Sequence, residues 1–509
     1  MLPTDPDYLH DVAIVGFGPT GALLANLLGR AGRSVLVLER DPEVHPLPRA
    51  VHFDGEAMRI FQTAGLAEAV LGVARPSSKG MRFINADGET LMERRGLEGV
   101  GPQGWVNNWY FHQPRLDAAL REGVANMPNV TVALGHEVVR IDEHADHVRL
   151  SAGAPLRTRG VTHQARYVVG CDGARSLIRR HMGVDSEDLG LHQPWLVLDL
   201  LVDPASPRAQ ALPDHTMQLC DPSRPMTIVH IGGRRRRWEI MMMPGEDPLV
   251  VIKPEKFWPL LARWIKPEDA VVERAAVYTF HATIARQWRK RRLLLAGDAC
   301  HQTPPFLGQG MCAGLRDAAN LAWKLDAVLR HVAPDSLLDT YGAERIAHVR
   351  AFIELAVYLG GVIQATDKRG AAARDRHFRE QGAEIFDFPQ PQLGPGARQD
   401  APPPVGVIFP QPRLPDGSLL DEAIGWRFAV IGAARALGAV TADTRRRWHE
   451  RDVVVIDDCG PVIEAWLAAH DRAALILRPD RYVFGTARTA ADLDALTNAL
   501  PYAATGRDR

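Results

Sequence analysis

The chain has 509 residues, 46% hydrophobic and 24% charged, the composition of an ordinary globular protein too long for a single core. Its 60 Lys and Arg offset 61 Asp and Glu, which excludes a general electrostatic pull toward nucleic acid or an anionic membrane. The five cysteines (Cys171, Cys220, Cys300, Cys312 and Cys459) form no CxxC pair, so neither a disulfide framework nor a metal site is expected.

The N-terminal stretch MLPTDPDYLHDV is acidic and lacks the basic and apolar regions of a signal peptide. No uninterrupted apolar run reaches the roughly 18 residues that span a bilayer. A cytoplasmic protein is expected. From Asp11 to Val15 a short apolar strand is predicted, followed by the turn Gly16-Phe17-Gly18-Pro19-Thr20-Gly21 and a helix carrying Leu23, Leu24, Leu27 and Leu28. A second strand, Ser34 to Leu38, ends at Glu39, next to Arg40. Gly16 permits the tight turn, Gly18 lets a pyrophosphate approach the backbone, and Gly21 lets the helix pack closely. The helix N-terminus offers free N–H groups to the anion, and Glu39 stands where a carboxylate accepts from an adenosine ribose. This unit predicts a dinucleotide binder.

Tyr167 to Val169 and Arg292 to Ala296 are further short strands, each followed by an aspartate beside a glycine, Asp172-Gly173 and Gly297-Asp298. Between them Leu196 to Val202, Met226 to Ile231, Trp238 to Met243 and Ala276 to Phe280 read as strands without long intervening helices, hence an inserted antiparallel sheet. Arg234 to Arg237 reads as a solvated hairpin turn, and Met241 to Met243 as sheet core. After Gly310 helices are predicted to about Ala365. The stretch from Phe386 to Val405, rich in proline, has linker composition, and strands at 428–431, 453–456, 473–477 and 482–484 alternate with helices beyond it.

The segment from Leu293 to Met311 decides which dinucleotide. It places Asp298 where it could accept from ribityl hydroxyls, and it leads through a Pro-rich turn into Gly308-Gln309-Gly310 at a helix start. N–H groups there, backed by the helix dipole, would stabilise negative charge at the N1/O2 edge of a reduced flavin.

Together the motifs GFGPTG, CDGARS and AGDACHQTPPFLGQGMCAGLRDAANLAWKL resemble the group A flavoprotein aromatic hydroxylases, the family of p-hydroxybenzoate and phenol hydroxylases. The Pro48-Arg49-Ala50-Val51 and Phe53-Asp54-Gly55-Glu56-Ala57 stretches narrow the likeness to 3-(3-hydroxyphenyl)propionate hydroxylases. It implies an α/β (α+β) chain: a Rossmann-like FAD-binding domain (1-185 and 285-385, with a helical extension), an inserted antiparallel-sheet substrate domain (186-284), a linker (386-405) and a C-terminal thioredoxin-like domain (406-509). The cofactor-binding residues it implies are Gly16, Gly18, Pro19, Thr20, Gly21, Glu39, Arg40, Arg49, Gln113, Asp172, Asp298, Pro305, Gly308, Gln309, Gly310 and Met311.

The implied reaction uses FAD, NADH or NADPH as co-substrate, and O2. A flavin C4a-hydroperoxide is attacked by a phenolic ring. A homodimer is expected, and no nucleic acid or membrane partner. His52 is the candidate for contact with the substrate; His301 reads as a structural hydrogen-bonding residue. His215, Tyr278 and His281 carry no motif. The same fold also serves epoxidation or Baeyer-Villiger oxidation of polycyclic or quinolone-like substrates, and flavin binding without turnover.

Overall fold

The computed structural model describes residues 8–153, 161–398 and 401–502, so the first seven residues of the acidic N-terminus lie outside it. Leu9–Val15 lies between Val35–Glu39 and Val161–Gly170, parallel to both. Val130–Leu134 extends the parallel run on one side and Leu293–Leu295 on the other. Val35–Glu39 and Leu293–Leu295 are buried at every position, as parallel strands covered on both faces must be. The predicted helix runs from Pro19 to Arg30, with Leu23, Leu24, Leu27 and Leu28 all in the core. All three sequence motifs therefore emerge at the carboxyl ends of neighbouring parallel strands, where open α/β sheets place their ligands.

The inserted strands form a second, nine-stranded sheet. Ser186–Val202 pairs antiparallel with Ala270–Ala285 and Arg235–Met241, and Met226–Gly232 and Thr216–Cys220 follow. This sheet reaches beyond residues 186–284. Met81–Asn85 adds in parallel to Thr216–Cys220, Thr90–Arg94 pairs with it, and Glu384–Ile385 closes the edge. His52–Asp54, Asn108–Phe111 and Ala74–Pro76 form a small sheet tied to the nine-stranded one by hydrogen bonds from Arg94 to Asn108 and between Tyr110 and Thr216. The hairpin at 81–94 gives no sign of this destination in its own sequence, because its partner strand lies more than 120 residues away.

Two long helices, Gly310–Leu329 and Asp339–Ile363, follow the third motif. The second is apolar enough in composition to cross a bilayer, yet Glu344, Arg345 and His348 are buried within it. Buried, hydrogen-bonded charges of this kind mark a helix packed in protein. The Pro-rich stretch is not a free tether: Phe386 and Leu393 are buried, and Ala397 donates its N–H to Glu344 Oε1.

In the C-terminal region the strand order is Val454–Ile456, Ala429–Gly432, Ala474–Leu477, Val483–Ala487, the first pair parallel and the others antiparallel. That order and those senses define a thioredoxin-like sheet. Its lone cysteine, Cys459, is buried and its thiol is pushed up to about 11, chiefly by burial, so it is a poor nucleophile.

Buried ion pairs fasten this domain to the body. Arg59 grips Asp421 with two 2.7 Å bonds, and Arg481 Nε lies 3.0 Å from the same carboxylate. Burial opposes ionisation of Asp421, but Arg481 and Arg59 outweigh it and hold its carboxyl at about 2. Asp421→Asn strands two buried guanidinium groups and is expected to cost about 3–5 kcal/mol. A lower thermal midpoint with faster proteolysis in the C-terminal domain checks this. An unchanged midpoint would mean that the pair holds nothing.

Candidate active site

The first motif is shaped for a close approach. Gly16 has φ +101, and a Cβ there would overlap the carbonyl oxygen of Cys171; a Cβ on Gly21 would overlap that of Gly16. Both positions require glycine. At Gly18, by contrast, a Cβ meets nothing within 4 Å, so the space before the Pro19–Arg30 helix is open. That helix has no side-chain cap and no acidic residue in its first turn, leaving its N–H groups for an anion. Glu39 is buried, accepting from Phe17 N at 2.6 Å and Asp41 N at 2.9 Å, which aligns its carboxylate with the turn. Arg40 is exposed and its Nε lies 3.8 Å from Asp41 Oδ2.

Thr20 joins the motifs. A Cβ on Gly297 would come within 2.7 Å of its hydroxyl oxygen, and one on Gly314 would overlap it. Only glycines let the first and third motifs approach this closely. Asp298 stands exposed between buried Gly297 and Ala299 and makes no hydrogen bond among the described residues. Asp172 accepts from Leu177 N at 2.6 Å and Ile178 N at 3.2 Å through one oxygen; its other oxygen is buried and unpartnered. Gln309, wholly buried, accepts from Arg316 Nη1 at 3.0 Å and leaves its own Nε2 unpartnered. Gly308 has φ +65 and leads into Gly310 and Met311, the uncapped start of a 20-residue helix. Pro305 opens the short turn before it. Orphaned polar atoms, an open glycine turn and two uncapped helix starts at one sheet edge fit a flavin dinucleotide.

Gln113 is buried, and its Oε1 accepts from Arg49 N and Ala50 N, both at 2.7 Å. Arg237 holds the same loop from the other side, donating 2.8 Å bonds to Pro48 O and Arg49 O while paired with Asp199 at 2.7 Å. The expectation of a solvated turn at 234–237 therefore needs correction. Arg235–Met241 is a strand and both Arg236 and Arg237 are buried. The cause is Asp199 on the adjacent strand, shared with Arg274 at 3.2 Å, a partner that a run of arginines cannot reveal. The side chain of Arg49 itself is exposed.

His52 faces Tyr110, and Asp54 faces Asn108, across the small antiparallel sheet. Side chains two apart on a strand share a face, so these four converge. Phe53 and Trp109 stack on the opposite face, ring centroids 6.0 Å apart. On the first face His52 Nε2 lies 3.2 Å from Asn108 Oδ1, which also accepts from Arg94 Nη2 at 2.7 Å. An arginine only donates, so the amide oxygen must point this way, and His52 must carry its proton on Nε2. His52 Nδ1 lies 3.5 Å from the carbonyl oxygen of Gly308, a longer contact than that of Nε2, and a Cβ on Gly308 would meet Nδ1 at 3.1 Å. Tyr110 bonds Thr216 Oγ1 at 2.8 Å, and Phe388 packs beside His52.

Burial, reinforced by the nearby Arg94 charge, pushes His52 down to about 4, so the ring is neutral at neutral pH. Burial pushes Asp54 up, but Arg316 outweighs it and holds the carboxyl below its ordinary value. The His52 shift has a consequence for stability. Between 6.5 and about 4 the unfolded chain binds the proton and the folded one does not, so this contribution is complete above pH 6.5 and is lost as pH falls through the window. From pH 7 to pH 5 the parent is expected to lose about 2 kcal/mol more than His52→Gln. Parallel pH–stability curves would contradict the assignment.

Cys300, His301 and Asp317 also cluster in the core. Asp317 accepts from His301 Nε2 at 2.7 Å, Gly297 N at 3.0 Å and Arg345 Nε at 2.9 Å, while His301 Nδ1 is buried without a partner among the described residues. His301 is the structural residue its sequence position implies. His215 and His281 are bonded to Asp214 and His192 respectively. Arg94, Asn108, Tyr110, Thr216 and Phe388, which line the His52 face, carried no motif.

On this sheet order, the open glycine turn, buried Glu39 and exposed Asp298 define a dinucleotide-dependent oxidoreductase. The chain belongs to the FAD binding domain family, whose model matches residues 10–356, and it is an FAD-dependent monooxygenase of the flavoprotein aromatic hydroxylase class. The HcaD C-terminal domain model matches residues 433–503.

A protein of Rhodococcus jostii named as a probable NADH-specific resorcinol 4-hydroxylase is 39% identical over 96% of this chain and 94% of its own. A 3-(3-hydroxy-phenyl)propionate/3-hydroxycinnamic acid hydroxylase of Mycobacterium avium is 38% identical, covering 99% and 95%. Among solved structures, anhydrotetracycline hydroxylase from Streptomyces rimosus superposes with a TM-score of 0.76 at 26% identity, covering 97% and 98%.

Proposed function

We propose that the enzyme uses NADH and O2 to hydroxylate a small phenolic ring held over the His52 face. The observation that carries this reading is the meeting of three distant segments, Asp298 to Met311, His52–Asp54 and Asn108–Phe111, on one buried polar face beside the flavin motifs. The small-phenol names of the two relatives support a monocyclic substrate, and the first supports NADH as donor.

When bound, FAD supplies hydride acceptance and oxygen activation. The chain's residues do the rest. Gly18, Thr20 and Gly21 would present N–H groups to the pyrophosphate, with Pro19 setting the start of the helix whose dipole faces it; Glu39 would accept from the ribose, and Asp298 from the ribityl chain. Asp172, Gln113 and the 48–50 backbone shape the middle of the cleft, and Pro305 and Gly308 to Met311 border the ring. Neutral His52, its proton fixed on Nε2 by Asn108, offers Nδ1 as acceptor for a substrate hydroxyl, favouring the electron-rich phenolate. Phe388, Tyr110 and the buried sheet exclude water from that face.

The proposal includes a cytoplasmic setting and a homodimer, the latter checked by sedimentation. Rapid mixing of the oxidised holoenzyme with NADH and with NADPH, with and without resorcinol, tests the reading. Flavin bleaching by NADH at least tenfold faster than by NADPH, accelerated by the phenol, is the expected result. Bleaching indifferent to every phenol tried would contradict it.

A further inference from the structure

Arg94 is 7% exposed, and no carboxylate forms an ion pair with it among the described residues. Its strand neighbour Glu93 points to the other face, paired with Arg82 and Arg95. Asp54 is already committed to Arg316 and to the N–H of Ala57, and Asp387 sits at the surface. Of the forked guanidinium, Nη2 bonds Asn108 and the flat face lies 4.2 Å over the Phe388 ring, while Nε is buried without a partner. Asn108 repeats the pattern: its oxygen takes two bonds, and its Nδ2, wholly buried, takes none.

Buried charges are paired or hydrogen-bonded in folded proteins, because an uncompensated one costs far more than it returns. Two orphaned donors of this kind, on the face already occupied by His52, call for an acceptor carrying negative charge. We propose that Arg94 and Asn108 form an oxyanion subsite for the aromatic substrate, so that the enzyme selects rings bearing a carboxylate or an ionised hydroxyl. This rests on the phenol hydroxylase reading and adds the chemistry of its selectivity. The guanidinium fork matches a carboxylate or a phenolate oxygen, and Phe388, from the Pro-rich stretch, walls the subsite.

The test titrates holoenzyme with 3-(3-hydroxyphenyl)propionate, its methyl ester and resorcinol, following the flavin absorbance. Arg94→Gln is expected to raise the Kd of at least one of them 50-fold or more while flavin content stays at parent level. If a carboxylate fills the subsite, the parent binds the ester far more weakly than the acid, and only the acid responds to the substitution. If a ring oxyanion fills it, acid, ester and resorcinol all weaken in the variant. Arg94→Lys, which keeps the charge and loses the fork, is expected to fall between, and it carries the test should Arg94→Gln fail to fold. Kd values within threefold of parent for all three ligands would overturn the subsite, as would loss of FAD with unchanged aromatic affinity after reloading. A parent holoenzyme that bound none of the three would instead defeat the functional reading itself.

Discussion

Asp298→Ala is expected to empty the protein of FAD without unfolding it. The side chain is exposed between two buried neighbours and hydrogen-bonds to nothing among the described residues, so its removal leaves no cavity and no stranded partner. Surface substitutions of that kind change stability by about 0.5 kcal/mol or less. A carboxylate accepting from ribityl hydroxyls is worth about 1.5–3 kcal/mol, which is roughly 10- to 100-fold in Kd. The ratio of flavin to protein absorbance after gel filtration reads the loss, and the thermal midpoint of the apoprotein reads the control. Parent-level flavin would remove Asp298 from the cofactor site.

The opposite profile is expected of Arg316→Met, where fold and site fail together. Arg316 is the hub beneath the His52 face. It pairs with Asp54 at 2.5 Å and Glu56 at 2.6 Å and donates to Gln309 Oε1 at 3.0 Å. Tyr482 of the C-terminal domain reaches the same network, donating to Glu56 Oε1 at 2.8 Å. Methionine fills much of the volume and leaves buried Asp54 and part-buried Glu56 without their cation, at an expected cost of about 3–5 kcal/mol. The pH dependence carries a sign. In the parent the depressed Asp54 carboxyl stabilises the fold above its ordinary 3.8 and loses that contribution as pH falls through its folded value. In the variant burial, the largest influence on Asp54, is opposed by the Ala57 N–H but no longer by the Arg316 cation, so the carboxyl rises, protonation relieves the strain earlier and the deficit narrows as pH falls toward 3.8. A deficit that stayed constant with pH would place the damage elsewhere.

Local patterns explain what could be read from the chain alone. The Gly16–Gly21 turn, Glu39 and the Asp298–Met311 segment each depend on neighbours within a few residues, and their strand, turn and helix context is written in periodicity. The second sheet was legible in its inserted strands but not in the 81–94 hairpin or the 384–385 edge, because pairing across such distances leaves no local mark. Arg237 misled for a related reason: four consecutive arginines look solvated until Asp199 is placed beside one of them. Arg94, Asn108, Thr216 and Phe388 come from four separate segments, and only the folded chain shows that they share a face with His52. The Pro-rich stretch had the composition of a tether; Phe386, Phe388 and Leu393 make it a wall.

FAD held at the sheet edge is expected to place one atom of O2 on a phenolic ring beside His52. Turnover of the holoenzyme with NADH, resorcinol and 18O2, read by product mass, tests it most directly. The expected product is heavier by one hydroxyl oxygen, labelled from 18O2, with one NADH consumed for each product formed. Product oxygen drawn from water, or NADH oxidation that yields only hydrogen peroxide with every phenol supplied, would contradict it.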